Sequence, residues 1–245
     1  MAQVNSLVSL LVDGMTITRT SGDRPKLRYY LIVCEGEETE PNYFEGIRGR
    51  LPPDMVRRIT IDGTGKNTES LVAEATRQAE LWKADHAFPV YNAWVVFDRD
   101  SFDADDFDNA ITSIDGKTID GTHWHAAWSN EAFELWYTLH FHDATGGAIA
   151  RAAYQSDLEK SVRTYLHKED WRYQKNAKDM FEILAPLTGQ AIVRARRAYE
   201  IQEKQNLPYH EMNPATKVYM LVEELLRYLH VGLQAGRTLS KVEKV

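Results

Sequence analysis

Short apolar runs that alternate with amphipathic stretches restrict this chain more than any other feature. Arg28 to Cys34 carries Tyr29, Tyr30, Leu31, Ile32 and Val33 without interruption, and Ala93 to Phe97 repeats the pattern. Continuous β-favouring apolar runs of this length predict strands covered on both faces. Two further strands are expected around Arg57 to Ile61 and His123 to Trp128. Helical spacing lies between and after them. Thr39 is the expected cap and Pro41 the first-turn residue of a helix with Tyr43, Phe44 and Ile47 on its inner face. Asn67 or Thr68 is expected to cap a helix bearing Leu71, Val72, Ala75, Ala79 and Trp82. Phe107, Ala110, Ile111 and Ile114 mark a third helix, and Phe133, Trp136, Tyr137 and His140 a fourth.

Strand and helix in strict alternation imply a mainly parallel sheet with helices on both faces. The expected division is a lead-in over residues 1–26, an α/β core over 27–143 and a helical region over 144–245. In that last region helices are expected at Glu159 to Leu166, Ala177 to Leu184, Ala191 to Glu203 and Thr216 to Leu229. The last shows one stripe of Val218, Leu221, Val222, Leu225, Leu226 and Leu229, with Asn213 and Pro214 as its start signals.

Parallel sheets place functional groups beyond the carboxyl ends of their strands. Two of the expected strands end there on acids. Asp98 and Asp100 leave the third strand on the same side, since side chains alternate along an extended chain. Glu35 ends the first strand, and Gly36 allows a sharp turn just after it. Carboxylates held that close repel one another, and a hard cation such as Mg²⁺ or Mn²⁺ relieves the repulsion. Such a site activates water and offsets charge on a phosphoryl group, which points to phosphodiester cleavage. The net charge of −7 fits acidity concentrated in a metal site, or a substrate held partly by a partner protein. Arg194, Arg196 and Arg197 form a local basic cluster and are candidate substrate or partner contacts.

Other signals point away from rival chemistries. Gly63-Thr64-Gly65-Lys66-Asn67-Thr68 resembles a phosphate loop but has Thr60 where the motif needs glycine and Asn67 where it needs Ser or Thr. No ATPase activity is expected. His123, His125, His140 and His142 lack the cysteines of a structural zinc site, because Cys34 is the single cysteine. Cys34 reads as a small core residue, and Trp124, Trp128 and Trp136 as core rather than base-stacking platforms. The apolar stretches are too short to span a bilayer, and no secretory leader is evident. A cytoplasmic protein without membrane contact is therefore expected.

Three segments carry a family resemblance. Cys34 to Phe44 reads Cys-Glu-Gly-Glu-Glu-Thr-Glu-Pro-Asn-Tyr-Phe, Phe97 to Asp100 reads Phe-Asp-Arg-Asp, and Ser129 to Trp136 reads Ser-Asn-Glu-Ala-Phe-Glu-Leu-Trp. Together with Asn213-Pro214-Ala215-Thr216 they resemble the RloB family, itself similar to the Toprim catalytic domains of topoisomerases, primases and OLD-type nucleases. The resemblance implies a Toprim-like fold and a metal-dependent nuclease acting on DNA or RNA, tRNA included. It makes Glu35 the general acid or base, also touching metal, and Asp98 and Asp100 metal ligands. Glu40, ahead of Glu38, is the second acidic residue expected within the following helical turn. Ser129, Asn130 and Glu134 fall near the same rim as supporting groups, and Lys175 is the candidate cation that steadies developing charge. The family context implies prokaryotic anti-phage defence alongside an ATPase of the ABC or AAA type; a homo-oligomer is left open. The alternatives are a conditionally silent Toprim-like partner module and a primase-like nucleotidyl transferase.

Overall fold

The fold is described from a computed structural model, over residues 28–56, 59–65, 68–99, 103–144 and 150–229. The lead-in, Asn67 and Asp100 lie outside the described residues. The first apolar run forms strand β1, Tyr30–Cys34, buried at every position. Helix α1 (Thr39–Arg48) and the single turn α2 (Pro53–Val56) lead to β2 (Ile59–Gly63). Then follow α3 (Thr68–His86), β3 (Asn92–Asp98) and α4 (Ala104–Ile114). A two-residue strand β4 (Thr118–Ile119) precedes β5 (Thr122–Asn130) and the short α5 (Glu134–Thr138). The remainder holds α6 (Arg151–Leu166), α7 (Met180–Leu184), α8 (Thr188–Glu203), strand β6 (Ala215–Thr216) and a last helix α9 over residues 218–229.

The sheet order is β2-β1-β3-β5-β4, with β6 also on β5. The four long strands are parallel, as their patterns predict; β4 and β6 are antiparallel and pair with opposite ends of β5. Period-two alternation sends successive side chains to different layers. Tyr30, Ile32 and Cys34 of β1, with Trp94 and Val96 of β3, face the layer that contains α1 and α5 to α9. Leu31 and Val33, with Ala93, Val95 and Phe97, face α3 and α4. This two-sided burial is why the strands read as unbroken apolar runs.

The C-terminal half departs from a purely helical pattern. Ala215 and Thr216 pair with Asn130 and Ser129, so Asn213-Pro214 leads into a strand rather than a helix start. The outer edge of β5 offers unpaired backbone groups there, and satisfying them outweighs an earlier helix start. The Thr216 hydroxyl donates to the Trp128 carbonyl at 3.1 Å and accepts from the Val218 amide at 3.2 Å. Helix α9 therefore begins two residues later than expected. Its stripe from Val218 to Leu229 is buried against the β1 side of the sheet, as its spacing predicts. Each such Leu or Val contributes about 1.5–3 kcal/mol when fully buried. Thr39 does not cap α1 but is its first residue; its hydroxyl donates to the Lys175 carbonyl at 3.0 Å.

His140 lies fully buried in this layer, with Nδ1 2.9 Å from the Trp136 carbonyl, an acceptor that places the proton on Nδ1. Burial, helped by nearby Arg194, pushes its pKa down to about 3. A depressed base favours the folded state fully above the unfolded value near 6.5, and that contribution is lost as pH falls toward about 3. His140→Gln keeps an amide donor but does not titrate. The gap in unfolding free energy between variant and wild type should therefore shift in favour of the variant as pH falls from 7 to 4. Urea denaturation at both pH values checks this; parallel losses in the two proteins would exclude His140 as the titrating group.

Candidate active site: an acidic cavity at the strand ends

The site begins with the pairing of β1 and β3. Cys34 lies opposite Val96 in the parallel register, and the Glu35 amide extends the ladder to the Val96 carbonyl at 2.9 Å. The two chain ends then converge. Glu35 turns back so that its Oε2 accepts from the Asp98 amide at 3.0 Å. Behind it, the turn after β2 is fastened to the same segment, with the Gly65 amide donating to the Glu35 carbonyl at 2.8 Å. Asp98 shares the period-two face of Trp94 and Val96 and so enters the α1 layer, 3% exposed.

Glu40 arrives from the first turn of α1, where a carboxylate favours the positive end of the helix dipole. Gly36 makes room for it. A Cβ at Gly36 would lie 2.2 Å from Glu40 Oε2, so any larger residue there would displace the Glu40 carboxylate. Glu134, at the start of α5, is 1% exposed; its Oε1 accepts from Gln155 Nε2 and from the Tyr173 hydroxyl, each at 3.2 Å. Arg151, the first residue of α6, reaches two of these acids: Nη2 lies 3.2 Å from Asp98 Oδ2, and Nε 3.6 Å from Glu134 Oε2.

Glu35, Glu40, Asp98, Arg151 and Lys175, with residues 36–39, line one cavity of about 230 Å³. Glu35, Glu40, Asp98 and Lys175 are thus brought together, and Glu38 stands on the cavity wall. Lys175 comes from the non-helical stretch between α6 and α7 and is exposed. Ser129 and Asn130 do not line the cavity. The Ser129 hydroxyl meets Thr216 Oγ1 at 2.9 Å, and the Asn130 amide donates to the carbonyls of Tyr209 and His210. Both tie β5 to the segment around β6.

The basic cluster is dispersed. Arg194 Nη1 donates to the carbonyls of Leu139 and His140 at 3.0 and 2.9 Å, closing the end of α5. Arg196 pairs with Glu223 at 2.8 Å over the Tyr219 ring, while Arg197 is exposed. None of the three lines the acidic cavity. Arg151, Gln155 and Tyr173 were not singled out from sequence. No spacing rule announces them, because each is an ordinary polar residue on a helix or loop.

Burial dominates the electrostatics. It raises the Asp98 carboxyl well above the usual range, with Glu40 adding to the shift and Arg151 opposing it. Glu40 is raised by burial and by Glu134, against Arg151 and Lys175. Glu35 is pushed up to about 7, mainly by burial, although the Asp98 amide favours its charged form. Glu40 Oε2, Asp98 Oδ1 and Glu134 Oε2 are buried without hydrogen-bond partners among the described residues. Buried carboxylate oxygens are normally satisfied, so the orphaned ones of Glu40 and Asp98, which line the cavity, suit a hard cation with oxygen ligands. The described side chains alone do not bring three His, Cys, Asp or Glu residues into a metal-holding group.

A mostly parallel sheet that gathers buried acids beyond the ends of two adjacent strands defines an α/β protein with an acidic cavity at its functional rim. The chain matches the model of the RloB-like protein family over residues 30–225 and belongs to that family. Comparisons with curated proteins and with solved structures gave no match. No helix among the described residues is long and apolar enough to cross a membrane.

If the orphaned oxygens hold a cation, Mn²⁺ or Mg²⁺ should raise the melting temperature of the wild type. Asp98→Asn and Glu40→Gln should abolish that rise and leave the metal-free melting temperature equal or higher, since each removes a buried acid. Differential scanning calorimetry with and without metal checks this. An undiminished metal response in both variants would remove Asp98 and Glu40 as ligands.

Proposed function

We propose that this chain is a divalent-metal-dependent nuclease of the RloB type, with a Toprim-like active site that cleaves a phosphodiester of DNA or RNA. The observation that carries the reading is the pair of buried acids, Asp98 and Glu40, each with an oxygen lacking a hydrogen bond among the described residues, in one cavity with Glu35. Asp98 and Glu40 would hold Mg²⁺ or Mn²⁺, with Glu35 beside them and Asp100 as a further ligand. The bound cation would offset charge on the phosphate and lower the pKa of water.

This chain's own groups supply the remainder. Glu35, with its pKa near 7, is matched to accepting and returning a proton at neutral pH. The Asp98 amide fixes one of its oxygens and so orients the carboxylate. Lys175 and Arg151 bring positive charge to the cavity that a phosphate must enter. Anti-phage defence beside an ATPase of the ABC or AAA type completes the proposal and rests on the family alone. A second reading, a module kept silent until a partner acts, draws on the Arg151 contacts with Asp98 and Glu134, which occupy oxygens a cation would need.

Cleavage should require Glu35 and a divalent metal together. Glu35→Gln keeps the shape and removes the basicity, so turnover should fall about 10²–10⁴-fold, as for a lost general base. The assay incubates wild type and variant with labelled DNA, bulk RNA and tRNA in Mg²⁺, Mn²⁺ or EDTA, with and without a co-encoded ATPase. Cleavage that survives EDTA or the substitution would refute the mechanism. Inactivity on every substrate, with the ATPase present, would favour the silent module.

A further inference from the structure

Arg151 is placed between two demands. Its guanidinium carries five N–H groups in a planar fork that matches carboxylate and phosphate equally well. Toward Asp98 and Glu134 it makes contacts of 3.2 and 3.6 Å. Charge-assisted bonds of this kind usually close to about 2.7–2.9 Å. Asp98 Oδ1 and Glu134 Oε2 still lack hydrogen bonds among the described residues. The fork therefore balances charge in the cavity and satisfies Asp98 Oδ2, but it does not satisfy Asp98 Oδ1 or Glu134 Oε2.

Its position is equally telling. The Arg151 side chain is 31% exposed, whereas those of Asp98 and Glu134 are 4% and 1% exposed. It thus extends from the buried acids toward solvent and shares the cavity lining with Lys175. The charge of Arg151 is felt at Glu35, Glu40 and Asp98, and that of Lys175 at Glu40. A divalent ion on the same acids would make the arginine's positive charge surplus at the cavity floor, and like charges at short range repel. The exposed part of the side chain gives the guanidinium a direction to move, toward the mouth where a phosphate would arrive.

We propose that Arg151 is the resident counter-cation of the metal-free cavity and becomes the phosphate-gripping group once a divalent cation displaces it from Asp98 and Glu134. This rests on the metal-dependent reading above. Arg151 would then couple the two binding events, so that substrate is held firmly only when the site is loaded.

The test uses the full chain and two variants, Arg151→Gln and Arg151→Lys. Mn²⁺ binding is measured by calorimetry, and binding of labelled single-stranded DNA and RNA by anisotropy in Ca²⁺. Removing the internal competitor should tighten Mn²⁺ binding by about tenfold, an ordinary size for coupling between two binding events. Nucleic-acid affinity in Ca²⁺ should fall by about tenfold, as for a lost hydrogen-bonded charge. Arg151→Lys keeps a cation and so guards against a folding failure. It should tighten Mn²⁺ less, yet still weaken nucleic acid, because an ammonium cannot fork. Wild type that binds Mn²⁺ with an affinity unchanged in both variants would overturn the counter-cation role and leave the metal site standing. Unchanged nucleic-acid affinity would overturn the phosphate role. Wild type that binds no divalent cation would remove the metal-dependent reading and this inference with it.

Discussion

The parallel register between β1 and β3 is the constraint on which the rest depends. Once Cys34 lies opposite Val96, Glu35 and Asp98 must emerge at one rim, and the Asp98 amide can reach the Glu35 carboxylate. A slip of one residue would turn Asp98 into the opposite layer and place Phe97 among the acids. Two-sided apolar burial prevents that slip, because every residue of β1 and β3 is packed. The core is in this sense what positions the chemistry.

The cavity works against the same core. Taking a carboxylate out of water costs several kcal/mol unless opposite charge and hydrogen bonds compensate. Here compensation is partial. Tyr173 and Gln155 satisfy one oxygen of Glu134, and Arg151 stands beside Asp98, while three carboxylate oxygens have no hydrogen bond among the described residues. Raised pKa values at Glu35, Glu40 and Asp98 express that strain, with burial as its largest cause. Large apolar contacts elsewhere, such as the α9 stripe, offset a locally unfavourable site. Binding sites of this kind are expected to be less stable than the scaffold that carries them.

The chain's two halves are also more entangled than their patterns suggest. Strand β6 joins the edge of β5, and α9 packs in the layer of α1. Arg151 and Lys175, from the C-terminal half, meet Glu35, Glu40 and Asp98, from the N-terminal half, in one cavity. The acidic motifs are therefore completed by residues more than fifty positions away.

The sequence by itself determined the four parallel strands, the helix stripes and the placement of Glu35 and Asp98 at strand ends. These are local consequences of periodicity and side-chain alternation, and local physics suffices to read them. Gly36 was legible as a break, but its second task, admitting the Glu40 carboxylate, was not. Glu134 was legible near the same rim, but only the tertiary structure decided that Arg151 joins the acids and that Arg194 and Arg196 do not face them. It also turned Ala215 and Thr216 into a strand. Those outcomes depend on which unpaired backbone edge or buried charge lies nearby in space. Spacing along the chain carries no record of such a neighbour until the sheet has closed.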